Sequence, residues 1–410
     1  MKKIVFLALQ LLICGLLSAQ KVKTGIEVLQ QQNFDPLKHQ RIGLITNPTG
    51  INSTFESTID ILHKAPHVEL VAMYSPEHGV RGDYSAGDQV GFFKDPKTNV
   101  PVYSLHGKHK KPTAEMLKGI DVLVYDIQDI GSRSYTYIST LGLAMEAAAE
   151  NNIKLVVLDR PNPLGGEKME GMITEPEFTS FVSQFPIPYV HGLTVGELAI
   201  FLNEEGLLKD GLKCDLEVIS MQGWKRKMSF EETKLPWVPS SPHIPHAHSS
   251  YFYPVSGILG ELYVYNIGVG YTLPFQVFAA PWIDADSLTN KLNALDLPGI
   301  TFRPVHFKPY YSVSKGTLVH GVQVHFTNYK EAPLSLIQFY VLQEAHQLWP
   351  QHDVFKMCDP SRLSMFDKVS GSDKVRKTFT KHWRVDDIKD MWYSDIDDFR
   401  KKAQQYFLYE

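Results

Sequence analysis

Val68-Glu69-Leu70-Val71-Ala72-Met73-Tyr74-Ser75-Pro76-Glu77-His78-Gly79-Val80-Arg81-Gly82 is an apolar run that feeds directly into a carboxylate, an imidazole and a guanidinium bracketed by glycines. Pro76 limits the residue before it to extended geometry, and Gly79 and Gly82 relax the backbone where side chains must converge. The stretch reads as a buried strand that delivers ionisable groups to its own exit. Three more stretches repeat the arrangement. The apolar run 41–46 ends in Asn47-Pro48-Thr49-Gly50, the run 122–125 ends in Asp126-Ile127-Gln128-Asp129-Ile130-Gly131-Ser132-Arg133, and the run 155–158 ends in Asp159-Arg160-Pro161-Asn162-Pro163. Each run is too short for a helix, and amphipathic residues lie between them, so they read as parallel strands covered on both faces. In such sheets ligands bind outside the carboxyl ends of the strands, which predicts that these polar residues share one rim.

Helices are expected over 53–64, 113–117 and 135–150, the last stopped by Asn151-Asn152. The βαβ rhythm predicts an α/β chain whose first domain, residues 20–185, is Rossmann-like and layered around a parallel sheet. Pro186-Ile187-Pro188 marks a change of texture. Beyond it Thr194-Val195-Gly196-Glu197 has capping-box spacing and opens a helix to 205, strands are expected over 216–219, 277–280, 300–307 and 318–326, and helices over 285–295, 333–349 and 386–405. Residues 186–410 therefore read as a smaller α+β second domain. The Pro-, Ser- and His-rich stretch 237–253 reads as a long loop, a candidate lid over the rim.

The chain has 410 residues, 43% hydrophobic and 21% charged, enough for more than one core. A formal net charge of -4 leaves no electrostatic footprint for nucleic acid. Met1-Lys2-Lys3, an apolar stretch over 4–17 and Ser18-Ala19-Gln20 have the layout of a secretory signal peptide covering 1–19, so the mature protein is expected to be periplasmic or secreted. Ile13 before Cys14 argues against lipoprotein processing, and no membrane span is expected after the leader is removed. Cys214 and Cys358 are too few for a disulfide scaffold.

Glu77 is the leading general acid, since a carboxylic acid at the exit of an apolar strand can be kept protonated by partial desolvation. His78 and Arg81 stand ready to orient a substrate. Asp126 and Asp129 flank Gln128 and offer the paired acids of glycoside chemistry, while Asp159 and Arg160 are candidates for a pair of their own. Arg133 offers a two-pronged donor for a carboxylate, and Tyr135 and Tyr137 offer ring faces for a pyranose. His243, His246 and His248 invite a zinc reading, but the prolines at 242 and 245 favour a loop over an ordered ligand set, and no metal is expected. The glycine pairs match no Walker loop and no G-x-G-x-x-G follows the first strand, which weakens phosphate and nucleotide readings, and no G-x-S-x-G elbow is present, which lowers the α/β-hydrolase option.

The blocks Gly43-Leu44-Ile45-Thr46-Asn47-Pro48-Thr49-Gly50, Ser75-Pro76-Glu77-His78-Gly79 with Arg81-Gly82, Tyr125-Asp126-Ile127-Gln128-Asp129-Ile130-Gly131 with Arg133-Tyr135-Thr136-Tyr137, and Leu158-Asp159-Arg160-Pro161-Asn162-Pro163-Leu164-Gly165-Gly166 resemble the NamZ-type exo-β-N-acetylmuramidases, from about Gly25 through Asp284. The resemblance implies an exported glycoside hydrolase that removes N-acetylmuramic acid from the non-reducing end of peptidoglycan fragments, with a cleft between its two domains and neither metal nor organic cofactor. Its partner is then a peptidoglycan-derived saccharide or muropeptide. Glu77 carries over as the catalytic acid, with Asp129 as the second catalytic candidate. Asp126, Gln128, Asp129, Arg133, Tyr135, Asp159, Arg160 and Asn162 carry over as cleft residues, and Asn47, His78, Arg81, Tyr137 and Glu261 are counted with them as substrate-binding candidates. Arg81, Arg133 or Arg160 is the expected counter-ion for the lactyl carboxylate of muramic acid. The chain departs from the family's pattern at Ser241-Pro242-His243 and at Gly268-Val269-Gly270-Tyr271-Thr272-Leu273-Pro274-Phe275, where Val269 and Leu273 stand in place of arginines. That departure favours one alternative, a catalytically weak or inactive muropeptide-binding relative, and the His-rich loop leaves a second, a zinc-dependent hydrolase.

Overall fold

The computed structural model describes residues 21–77, 79–82 and 92–410. The leader expected over 1–19 and the imidazole of His78 lie outside the described residues.

The four apolar runs become strands β1 (Gln40–Thr46), β2 (Val68–Ser75), β5 (Val122–Asp126) and β6 (Lys154–Leu158), and they pair in parallel. With β3 (Phe93–Lys94), β4 (Pro101–Ser104) and β7 (Leu216–Ile219) they form a seven-stranded sheet in the order β3-β4-β2-β1-β5-β6-β7, antiparallel only between β3 and β4. Alternation along each strand explains why the runs read as continuous. Val122, Val124, Ile42 and Leu44 enter a core on one face of the sheet, whereas Leu123, Tyr125, Ile45 and Val157 enter the core on the other. Register brings the strand exits level, Ile45 facing both Tyr74 and Tyr125, and Thr46 facing Asp126. At Gly43, where the β1–β2 register shifts, a Cβ would come within 2.7 Å of the Tyr74 ring.

Three expectations are corrected. The strand at 216–219 belongs to the first sheet, as β7 beside β6, so the layered domain runs well past Pro186 and includes the Val195–Glu204 helix. A short edge strand of half-buried residues carries no periodic mark of the sheet it joins. Residues 114–119 form a turn, a helix over Gly25–Gln31 was not expected, and the helix expected over 53–64 begins at Thr58, where Ser57 accepts from the Asp60 amide. The expected lid is anchored: Ile244 is fully buried, Trp237 Nε1 donates to its carbonyl at 3.2 Å, and the helix Ser249–Gly260 takes over the end of the stretch.

The second lobe is built on the antiparallel sheet β8-β10-β9 (β8 Val277–Ala280, β9 Ile300–Phe307, β10 Val319–Phe326), covered by Ala285–Asn293, against which Ile337–Leu348 packs. The expected helix 386–405 is broken into Asp386–Tyr393 and Ile396–Ala403. One apolar core continues from Tyr125 and Ile138 in the first lobe through Tyr189 and Val255 to Phe339 and Trp392 in the second. Among the described residues no helix is long and apolar enough to cross a membrane, and Cys214 and Cys358 are both unpaired.

Candidate functional site

Pro76 carries the chain off β2 so that Glu77, half-buried, lines a cavity of about 240 Å³ together with Ser134, Tyr135, Tyr137, Ser241, Tyr253 and Phe275. The segment after β5 supplies Ser134 to Tyr137, the anchored loop supplies Ser241 and His243, and the helix Ser249–Gly260 supplies Tyr253. The aromatic wall is held edge to face. Tyr135 meets Tyr137 at 5.0 Å and Tyr253 at 5.6 Å between centroids, and Tyr253 meets Phe275 at 4.9 Å. Tyr135 donates to Ser240 Oγ at 2.8 Å and Tyr137 to the Ser240 carbonyl at 2.7 Å, which fixes both rings. Burial holds both phenols well above their usual range, and the Glu77 carboxyl adds to the effect on Tyr137, so the wall is neutral. A neutral aromatic wall with one carboxylate at its edge suits a sugar ring and proton donation to it.

A second cavity of about 280 Å³ adjoins the first, sharing His243, Tyr253 and Phe275, and is lined further by Glu261, Tyr263, Tyr265 and Val269. Burial raises the Glu261 carboxyl above the usual carboxylate range, opposed by Arg362 at 3.7 Å.

Several expected site residues instead hold the rim together. Asp126 is fully buried and takes both prongs of the Arg160 guanidinium (2.5 and 2.9 Å) and the Thr58 hydroxyl, while Arg160 also donates to the Ile51 carbonyl. Asp159 therefore has no guanidinium. It accepts from Thr194 Oγ1, the Gly196 amide, the Arg160 amide and the Tyr409 hydroxyl, and burial pushes its carboxyl up to about 7. Arg133 is enclosed, donating to the carbonyls of Met172 (2.6 Å), Ile187 (2.6 Å) and Val369 (3.0 Å) and to Ser183 Oγ. Arg81 is held by Asp95 at 2.6 Å and Asp60 at 3.4 Å. The three arginines expected as counter-ions are thus committed to protein partners, and none lines the Glu77 cavity.

Gln128 donates to the Asp129 and Pro161 carbonyls, and Asn162 links the Leu164 amide to the Leu193 carbonyl. Asn47 closes its own turn by accepting from the Thr49 amide at 2.9 Å, and its side-chain amide lies beside the Tyr137 hydroxyl. Asp129 does not line the Glu77 cavity, although its charge acts on Tyr135. One of its oxygens accepts from the Gly131 amide at 2.7 Å and sits 3.4 Å from His191 Nε2, and the other is buried without a hydrogen-bond partner among the described residues. The three histidines of the loop do not gather: His243 bonds Tyr311 at 2.6 Å and His248 stacks on Phe252. No group of three His, Cys, Asp or Glu side chains suited to a metal ion occurs among the described residues. Ser134, Ser241, Tyr253 and Phe275 were not expected in the site. Tyr253 closes the stretch read as a lid and Phe275 the run set against the family's pattern, but neither was named as a site residue.

The family model described as Exo-beta-N-acetylmuramidase NamZ, N-terminal, matches residues 42–248, and its C-terminal counterpart matches 251–409. The Glu77 cavity draws on both segments. The chain is 45% identical over 389 residues to the peptidoglycan beta-N-acetylmuramidase NamZ of Bacillus subtilis strain 168, covering 95% of this chain and 92% of that protein. Two crystal structures of DUF1343 family proteins from Bacteroides fragilis NCTC 9343 superpose on it. One has a TM-score of 0.92 at 59% identity and the other 0.77 at 31%, each covering 95% of this chain and 99% of the other.

Proposed function

The chain belongs to the exo-beta-N-acetylmuramidase NamZ family, and from that premise we propose that it is an exported glycosidase that removes β-linked N-acetylmuramic acid from the non-reducing end of peptidoglycan fragments. The Glu77 cavity carries the reading, because it joins one carboxyl to a wall of aromatic rings in a space suited to a single sugar. In this reaction the Glu77 carboxyl gives its proton to the glycosidic oxygen as the bond from that oxygen to C1 of the muramic residue breaks, water supplies the oxygen of the new hemiacetal, and the proton that water loses restores the Glu77 carboxyl. Tyr135, Tyr137 and Tyr253 hold the ring by their faces. Their fixed hydroxyls limit how it can turn.

With the guanidinium groups of Arg81, Arg133 and Arg160 engaged elsewhere and the Tyr135 and Tyr137 hydroxyls donated to Ser240, the lactyl carboxylate would be received by other neutral groups of the cavity, Ser241 among them. The leader sequence supports export, and cell-wall fragments are encountered in the compartment it leads to. The test is hydrolysis of a chromogenic β-N-acetylmuramide by the wild type and by Glu77→Gln. A loss of about 10²-fold or more in kcat with an unchanged melting temperature is expected. Full activity in the variant removes Glu77 from the mechanism. A relative that only captures fragments would bind the muramide without releasing the chromophore.

A further inference from the structure

We propose that the hydrogen bond between His243 and Tyr311 is a strap across the mouth of the Glu77 cavity, and that a saccharide enters and leaves only when the Tyr311 side chain swings out. The inference rests on the reading of that cavity given above and adds to it a gate, made by a residue that touches neither Glu77 nor the sugar.

The cavity is walled by Glu77 at the exit of β2, by residues 134–137 after β5, by Tyr253 of the helix Ser249–Gly260 and by Phe275, and His243 completes the lining. Tyr311 comes from the other lobe, in the connection between β9 and β10. His243 Nε2 and the Tyr311 hydroxyl share a hydrogen bond at 2.6 Å, with ring centroids 5.9 Å apart. Tyr311 lines neither the Glu77 cavity nor the adjoining one, and 48% of its surface is exposed, so it meets His243 from the solvent side. The bond therefore ties the two lobes together at a side chain that borders the cavity.

Both ends of the strap are held by their backbones. In the first lobe Ile244, next to His243, is fully buried, and its amide donates to the Ser241 carbonyl at 3.0 Å. In the second, the Tyr310 amide donates to the Gly270 carbonyl at 2.7 Å, the Gly316 amide to the Pro309 carbonyl at 2.9 Å, and Asn266 Nδ2 to the Val313 carbonyl at 2.8 Å. A Cβ at Gly270 would lie 2.0 Å from the Tyr311 carbonyl oxygen, so the two segments meet backbone to backbone. Ser312 and Ser314 take φ of 67° and 61°, left-handed values that strain a residue other than glycine. Strain spent on two serines to hold a half-exposed tyrosine places that tyrosine for a purpose other than burial. With both backbones fixed, opening takes the rotation of one exposed side chain, a fast movement, against a single hydrogen bond.

Tyr311→Phe keeps the ring and deletes the bond. Association and dissociation rates of N-acetylmuramic acid are measured by stopped-flow fluorescence in the wild type and the variant. A gate scales both rates alike, so each is expected to rise about fivefold, the factor that one hydrogen bond of ordinary net strength withholds, while the dissociation constant and the melting temperature stay the same. A faster dissociation alone would make Tyr311 a contact to the sugar, and unchanged rates would mean that nothing passes the bond; either result overturns the proposal. If the wild type binds no N-acetylmuramic acid, the reading of the Glu77 cavity falls separately, and the strap is decided without a sugar. Ser241→Cys puts a thiol in the Glu77 cavity, and its reaction with dithiobis-nitrobenzoate is followed with and without Tyr311→Phe, the rates of Cys214 and Cys358 being subtracted from chains that lack the added thiol. About fivefold faster labelling with Tyr311→Phe supports the strap, and equal labelling overturns it.

Discussion

Arg133 and Glu77 were expected to face one substrate, yet they ended in opposite situations for a reason that lies in their neighbours. Arg133 leaves β5 through Gly131-Ser132 and meets three backbone carbonyls that have no other use for a rigid fork. Burial lowers its guanidinium from the usual arginine range without supplying an acid partner. Lysine cannot span three acceptors, so Arg133→Lys is expected to cost about 2–4 kcal/mol in urea unfolding while leaving KM for a muramide little changed. Asp159 gives a pH signature. Its native value of about 7 lies above the unfolded value near 4, so the native state binds the proton more tightly. Stability contributed by Asp159 is therefore greatest at acid pH and falls as pH rises from about 4 to about 7, by up to about 1.4 kcal/mol per unit. Urea midpoints across that window are expected to slope less in Asp159→Asn than in the wild type.

At the scale of elements, the strand exits were legible because an apolar run ending in Pro, Gly and charge has few other readings. The helix Val195–Glu204 was legible as well: Thr194 accepts from the Glu197 amide and Glu197 reaches back to the Thr194 amide. Thr194 also donates to Asp159. Thr194→Ala is expected to cost about 2 kcal/mol, the upper end for an N-cap, measured by chemical denaturation. The helix Ser249–Gly260 was hidden by Pro254 in its interior and by the Pro- and His-rich approach to it. Its burial of Phe252, Val255, Ile258 and Leu259 outweighs the local signal, and the Pro254 carbonyl is taken by Gln338 at 3.2 Å. Tyr253, which separates the two cavities, was missed together with that helix.

Over the whole molecule, the C-terminal tail closes the architecture. Phe407 lies under the Arg226 guanidinium at 3.4 Å, the Leu408 amide donates to Glu197, Tyr409 donates to Asp159 and accepts from the Met221 amide, and the Arg226 amide donates to the Glu410 carbonyl. Arg226 is itself bidentate on Glu197 at 2.6 and 2.8 Å. Removing residues 406–410 would leave two buried carboxylates short of donors, and a loss of about 3 kcal/mol or more is expected in urea. The tail, the Arg133–Val369 bond and the continuous core couple the lobes, so calorimetry is expected to give one transition whose van't Hoff and calorimetric enthalpies agree. Two separated transitions would contradict that coupling.

What the sequence by itself determined was periodic or covalent: the parallel strands, their level exits at Asn47, Glu77, Asp126 and Asp159, the capping box at Thr194, and the family likeness carried by those same blocks. These follow from side-chain alternation and backbone restriction, which act within a few residues. The tertiary structure alone decided which exit residues line a cavity. Asp126 and Arg160 satisfy each other, Arg133 satisfies carbonyls, and Glu77 is left at the edge of a wall completed by Tyr253 and Phe275. A charged group turns inward or outward according to the partners that distant segments bring within hydrogen-bond reach, and that reach of about 3 Å has no counterpart in spacing along the chain.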